Sequence, residues 1–191
     1  MSVGLLGGAF DPPHRGHVQL ARCARELLGL SRLIVVVAAE PGHKSVETPA
    51  GLRVEMARAA FPGDEVILDD HARTIDLLRD HPEWQDAWFV LGADEFADFL
   101  SWKDPDEVLA HVRLAVGTRP GFPPERLQPV LDGVERPDRV RLFAMEPVPA
   151  ASRRLSRSGA EGARTPDLLA ASQMLSQLSY GPRRQQCSGE S

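Results

Sequence analysis

The run RLIVVVAA (32–39) is apolar at every position after its first residue. A strand turns alternate side chains to opposite faces, so a strand that is apolar on both has to be covered on both. The run is far too short to cross a bilayer as a helix. Its cover must therefore come from the chain itself. Parallel strands need crossover connections, and those crossovers lay helices on the two faces of a sheet. A buried strand of this kind thus constrains the chain to a layered α/β architecture.

The rest of the chain supplies the crossovers. SVGLLGG (2–8) reads as a strand leading into glycines. HVQLARCARELLGL (17–30) places Ala21, Ala24 and Leu28 on one 3.6-residue face, widened by Leu20 and Leu27 with Val18 at its margin, which predicts a helix. TPAGLRVEMARAAF (48–61) is a second helix, with Thr48 expected as N-cap and Pro49 at its first position. Strand EVILD (65–69), helix ARTIDLLRDH (72–81) and strand AWFVLGA (87–93) follow. Helices near 94–99 and 105–110 precede strand RLAVGTR (113–119). PERLQPVLDGV (124–134) reads as a helix interrupted by Pro129, and RVRLFAME (139–146) closes the series. The alternation predicts a Rossmann-like, doubly wound α/β fold: an open, mostly parallel sheet with helices on both faces and right-handed crossovers. Ligands of such sheets sit outside the carboxyl ends of the strands, near the reversal of strand order. The chemistry is therefore expected in the loops GGAFDPPH, AAEPGHK, GADEF and TRPGF.

Charge divides the chain. Residues 151–191 carry six arginines against Glu161, Asp167 and Glu190, so +3; the remaining 16 basic and 24 acidic groups give residues 1–150 a charge of −8. This marks a boundary near residue 150, between a main domain (1–150) and an atypical tail (151–191). In the tail, Thr165 as cap, Pro166 behind it and the spacing of Leu168, Leu175 and Leu178 predict a helix over 166–179, and the last residues read as disordered. The overall charge of −5 argues against nucleic acid as a partner, and no apolar run suggests a membrane. Val3, Leu5 and Leu6 already read as core, so no secretory leader is expected and the cytoplasm is the expected location. Two cysteines, Cys23 and Cys187, are too few for a disulfide framework and lack metal-ligand spacing.

The stretch GGAFDPPHRGH (7–17) has the parts of an anion socket. Backbone approaches a phosphate closely only where no Cβ intervenes, which suits Gly7, Gly8 and Gly16. Asp11-Pro12-Pro13 makes a stiff turn that delays the helix. The helix beginning near His17 then aims its first amides and positive dipole end at the same place. His14 and His17, three residues apart at a helix start, share one face. A dinucleotide-binding G-x-G-x-x-G is absent, as is the Walker pattern.

This stretch resembles the G-G-x-F-D-P-x-H-x-G-H signature of the nucleotidyltransferases of the HIGH superfamily, and among them the bacterial nicotinate-nucleotide adenylyltransferase family. PGHK (41–44) is similar to that family's P-x-x-K. ARTIDLL (72–78) matches its S-Y-T-x-D-T-L at Thr74, Asp76 and Leu78. LGADEF (91–96), SWKDPDEVL (101–109) and VGTRPGF (116–122) follow in the family's order, so the resemblance covers about residues 3–150. It implies transfer of AMP from ATP to nicotinate mononucleotide, giving deamido-NAD and pyrophosphate. By resemblance, His17 and His14 are the catalytic candidates. Gly8, Ala9, Phe10, Gly16 and Asp94 would hold ATP, and Lys44, Thr74, Trp102 and Arg119 the acceptor, with Trp102 stacking on the pyridine ring. Mg²⁺ would ride on the triphosphate, because no carboxylate cluster here has the spacing of a dedicated cage. Beside a bound triphosphate the two imidazoles are expected to become cationic. Plainer roles stand beside these: Trp102 as packing, Asp94 as a helix cap, Arg119 as a solvated charge. Trp84 and Trp88 are assigned to packing.

The tail departs from the family. Where the family has I-S-S-T-x-I-R, AASRRLSR (150–157) fits only at Ser152 and Leu155, and neither Arg154 nor Arg157 has the register of the phosphate-binding arginine. Either the tail has drifted or the reading frame changes near residue 150. Two other functions stay open: a sister enzyme with another phosphate acceptor, and a nucleotide-binding protein without activity. A homo-oligomer also stays open.

Overall fold

The computed structural model describes residues 2–42, 45–119, 122 and 124–145. Among them, strand β1 (Val3–Gly8) lies inside a six-stranded sheet with β2 (Arg32–Ala38), β3 (Glu65–Asp69), β4 (Trp88–Gly92), β5 (Arg113–Thr118) and β6 (Val140–Ala144). The strand order is β3-β2-β1-β4-β5-β6. All five pairings are parallel, with Gly4 opposite Leu33 on one side of β1 and opposite Trp88 on the other. The chain builds outward from β1 to β3, then returns to the far side of β1 as β4. The order therefore reverses between β1 and β4, and a crevice opens at the carboxyl ends there.

Strand alternation separates two cores. Leu5, Ile34, Val36, Phe89, Leu91, Leu114 and Val116 pack on one face with Ile75, Leu77 and Leu78 of α3 (Thr74–Asp80), Phe96 of α4 (Ala93–Phe96), Val108 and Leu109 of α5 (Pro105–His111) and Val130 of α6 (Gln128–Gly133). Leu6, Val35, Val37, Val90 and Ala115 pack on the other face with Leu20, Ala21 and Ala24 of α1 (Arg15–Leu28) and Val54 and Ala57 of α2 (Ala50–Ala60). Val35 and Val37 are fully buried, as both-face apolarity demands. This is the doubly wound architecture expected from the pattern.

Three local expectations shift. Helix α1 starts earlier than expected, at Arg15, and buries Leu20, Ala21, Cys23 and Ala24, while Leu27, Leu28 and Val18 are only partly buried. Thr48 does not cap α2: Pro49 takes the N-cap position, and the Thr48 side chain and amide are turned to the Asp11 carboxylate. Pro129 opens a helix instead of interrupting one. Residues Pro124–Leu127 form a 3₁₀ turn, and Pro129 falls in the first turn of α6, where no intrahelical partner awaits its missing N–H. No helix among the described residues is long and apolar enough to cross a membrane. The tail and its expected helix lie outside the described residues, as does the boundary at 150.

Candidate active site

The loop after β1 is held in an unusual backbone state. Phe10 has φ 50°, the left-handed region that costs a non-glycine residue about 1–3 kcal/mol. Its ring is 1% exposed, between His17 at 5.0 Å and Phe61 at 5.9 Å. Full burial of a phenylalanine returns about 1.5–3 kcal/mol, which offsets the strain. Asp11 fastens the next step. Its carboxylate accepts from the amides of Glu47, at 2.8 Å, and Thr48, tying the loop to the segment before α2. Burial pushes the Asp11 carboxyl up, but the hydrogen bonds from Thr48 and Glu47 and the nearby Arg53 charge outweigh it, and the net shift is downward.

His14 and His17 then begin α1 as a reciprocal capping box. The amide of Gly16 donates to His14 Nδ1 at 3.1 Å, and the amide of His14 donates to His17 Nδ1 at 3.2 Å. A ring nitrogen that accepts carries no proton, so in this capping box the ring proton of each histidine sits on Nε2. The two rings stack with centroids 3.7 Å apart and planes 20° apart. Two imidazolium charges at that separation would repel by about 4 kcal/mol even at an effective dielectric near 20. That repulsion is what a bound triphosphate would have to offset for both rings to become cationic.

The glycines have more immediate reasons than anion approach. A Cβ on Gly7 would stand 2.8 Å from the Phe89 ring, and one on Gly8 3.1 Å from the Phe10 ring. A Cβ on Gly16 would stand 3.0 Å from the His14 ring. Each glycine makes room for an aromatic side chain of the site, and the backbone beside it is left open as a consequence.

A cavity of about 280 Å³ opens beside this loop, over the carboxyl ends of β1, β2 and β3. Gly7, Gly8 and Ala9 form one wall, Pro41 and Gly42 another, and Phe89 and Trp102 supply its aromatic surface. Trp102 is half-buried, its ring 6.1 Å from Phe89 and 5.2 Å from Phe99. Packing and cavity lining are thus one position for this residue. Thr74, the first residue of α3, also lines the cavity. Asp94 and Arg119 do not. They follow β4 and β5, are both more than half exposed, and face each other at 3.5 Å. Of the two tryptophans assigned to packing, Trp84 is buried, and Trp88 is partly buried beneath the Arg113 guanidinium at 4.9 Å. Lys44 lies outside the described residues. Among the described residues no group of three or more His, Cys, Asp or Glu could hold a metal ion.

Two residues of the site escaped the sequence reading. Arg53 on α2 is 1% exposed and donates to four carbonyls: Thr48 at 3.0 Å, and Ala9, Ala38 and Ala39 at 2.7 Å each. It joins the loop after β1 to the end of β2. The available signal was an arginine on the same helical face as Ala57 and Ala60, inside an apolar stripe. His71 lies between two carboxylates, with Nδ1 2.8 Å from Asp69 and Nε2 3.0 Å from Asp80. Those two hydrogen bonds, Asp80's first, raise its pKa above the ordinary 6.5. No local pattern pointed to it, because Asp80 is nine residues away on the far end of α3.

The cytidylyltransferase-like family model matches residues 5–159. A probable nicotinate-nucleotide adenylyltransferase of Rubrobacter xylanophilus is 38% identical over 141 residues, which is 66% of this chain and 66% of that one. A probable nicotinate-nucleotide adenylyltransferase of Bordetella avium is 33% identical over 180 residues, 87% of this chain and 90% of its own length. Among solved structures, a Plasmodium falciparum nicotinic acid mononucleotide adenylyltransferase complexed with NaAD superposes with a TM-score of 0.65 at 17% identity, covering 93% of each chain; that likeness speaks for the fold.

Proposed function

The chain belongs to the cytidylyltransferase-like family, and on that premise we propose that it transfers AMP from ATP to nicotinate mononucleotide, releasing pyrophosphate and forming deamido-NAD. Relatives of this chain that carry the name nicotinate-nucleotide adenylyltransferase support the choice of acceptor. The observation that carries the reading is the stacked His14–His17 pair on the first turn of α1, beside the glycine end of β1 and the reversal of strand order.

An oxygen of the acceptor's phosphate attacks the α-phosphorus of ATP. One P–O bond forms, the bond from the α-phosphorus to the bridging oxygen breaks, and pyrophosphate leaves with that electron pair. The attacking oxygen is already an anion, so no general base or covalent intermediate is required. What the protein has to supply is alignment and stabilisation of charge on the phosphoryl oxygens. In this reading Nε2 of His17, assisted by His14, donates to those oxygens. The backbone at Gly8, Ala9 and Phe10 and the start of α1 at Gly16 cradle the triphosphate, and the dipole of the 14-residue helix favours the same charge. Asp94 holds the ATP ribose or orients its metal-bound phosphates. Lys44 and Arg119 meet phosphate groups, Trp102 stacks on the pyridine ring and Thr74 lies beside the ring's carboxylate. Mg²⁺ enters with ATP as part of the substrate. We read the protein as cytoplasmic, with neither a membrane nor nucleic acid among its partners.

Pyrophosphate release with ATP and a panel of acceptors tests the proposal. Nicotinate mononucleotide is expected to be the fastest, ahead of its amide, phosphopantetheine and glycerol phosphate with ATP or CTP. Faster turnover of one of the latter two would make the chain a sister enzyme. ATP binding without pyrophosphate release from any acceptor would make it a nucleotide-binding protein.

A further inference from the structure

Three basic side chains among the described residues line the cavity, and carboxylates hold two of them. His71 lies between Asp69 and Asp80, and Lys103 Nζ is 3.2 Å from Asp76. Arg73 is the exception. It forms no ion pair among the described residues, and its Nη1 donates to the neighbouring carbonyl of Ala72 at 2.9 Å. The guanidinium passes over the loop after β2: a Cβ on Gly42 would stand 3.4 Å from Nη1. The side chain therefore reaches from the start of α3 toward the opposite wall of the cavity, with most of its donor fork uncommitted.

We propose that Arg73 reads the carboxylate on the pyridine ring of the acceptor and so sets the preference for the acid mononucleotide over its amide. The proposal rests on the transfer reading above. The remaining charges in the cavity wall make the case. Glu40, Asp69 and Glu95 line it, so a ligand carboxylate enters a partly negative surrounding and needs a cation. Asp69 is already matched by His71, and Lys103 by Asp76. A guanidinium fork fits a planar carboxylate through two parallel N–H···O bonds. An amide offers that fork one oxygen and turns an NH₂ group against its second donor. The discrimination thus comes from one lost bond and one donor–donor clash, at a ring whose face Trp102 covers.

Calorimetric titration of the full chain with nicotinate mononucleotide and, separately, its amide measures the effect in the wild type, Arg73→Gln and Arg73→Lys. Arg73 is exposed, so these substitutions leave the core untouched. Arg73→Gln is expected to bind the acid about 10- to 100-fold more weakly, the worth of a charge-assisted hydrogen bond, and the amide within about twofold of wild type. Arg73→Lys should recover part of the loss, and KM for the acid should rise while kcat moves little. An acid-to-amide affinity ratio unchanged in Arg73→Gln, or an equal loss for both nucleotides, overturns the inference and leaves the transfer reading standing. A wild type that binds the acid preferentially but releases no pyrophosphate sinks the transfer reading, and the affinity ratio still judges Arg73. A wild type that binds neither nucleotide removes both.

Discussion

Replacing Arg53 with methionine removes a buried cation of similar length and leaves four carbonyl oxygens, of Ala9, Ala38, Ala39 and Thr48, without their donor. Hydrogen bonds to a charged group contribute about 1.5–3 kcal/mol each, so four amount to roughly 6–12 kcal/mol. Against this stands the desolvation of the guanidinium, several kcal/mol for an ion in a protein interior. The balance is a loss of about 3–5 kcal/mol, in the range seen when one partner of a buried charged network is deleted. For a chain of this size that corresponds to a melting temperature lower by about 6–20 °C. Urea unfolding is the assay: the midpoint should fall while the slope stays constant, because the surface exposed on unfolding hardly changes. Arg53→Lys should lie between, since one ammonium cannot reach all four oxygens at these distances. Turnover should fall together with stability, because Ala9 belongs to the loop that would face the triphosphate. A methionine variant destabilised by less than about 1 kcal/mol would refute the reasoning, as the four carbonyls would then have found other partners.

Two further outcomes follow from the site's hydrogen bonds. His17→Gln keeps a side chain able to accept from the His14 amide at the third helical position, so thermal stability should stay within about 1 kcal/mol of wild type; turnover should drop roughly 10²–10³-fold, and activity within twofold would remove His17 from the mechanism. His71 has a folded-state pKa raised above 6.5 by Asp80 and Asp69, so its stabilisation is fully present below the unfolded value and disappears as pH rises through the folded one. The stability difference between wild type and His71→Asn, from urea unfolding, should be largest near pH 6 and shrink toward pH 9; a difference that grows with pH would contradict the assignment.

The fold was readable because its signals are local and redundant. Both-face apolarity in β2 and single-face periodicity in α1 each demand the same layered sheet, and a slip of a residue or two at a helix end leaves that demand intact. The histidine pair was readable for a similar reason, since capping geometry is set within one helical turn. The hydrogen bonding of the pair was not. The two backbone N–H groups that donate to the Nδ1 atoms, one to each ring, belong to a closed capping box, and a three-residue spacing alone does not reveal that box. Arg53 and His71 were hidden for a different reason. Arg53's partners lie up to 44 residues away, on segments that approach only after the sheet has formed, and His71 is bracketed only once α3 folds back to bring Asp80 against it. An arginine in an apolar stripe is a hint of such a tether without an address.

The tether and the capping box act on the same loop from opposite ends. Arg53 grips the Ala9 carbonyl from α2, Asp11 grips the Glu47 amide from the loop, and His14 locks the first turn of α1 two residues after Pro12. Between these anchors Phe10 is held in a left-handed conformation it would otherwise leave, and its ring supports the ring of His17 at 5.0 Å. In the proposed transfer the donors that would meet the phosphoryl group are therefore oriented before any ligand arrives, so little reorganisation is left for the reaction to drive. A charged clamp buried at a strand end is costly to place there, and its cost is offset only because one guanidinium satisfies carbonyls of three separate segments that the site needs in fixed relation.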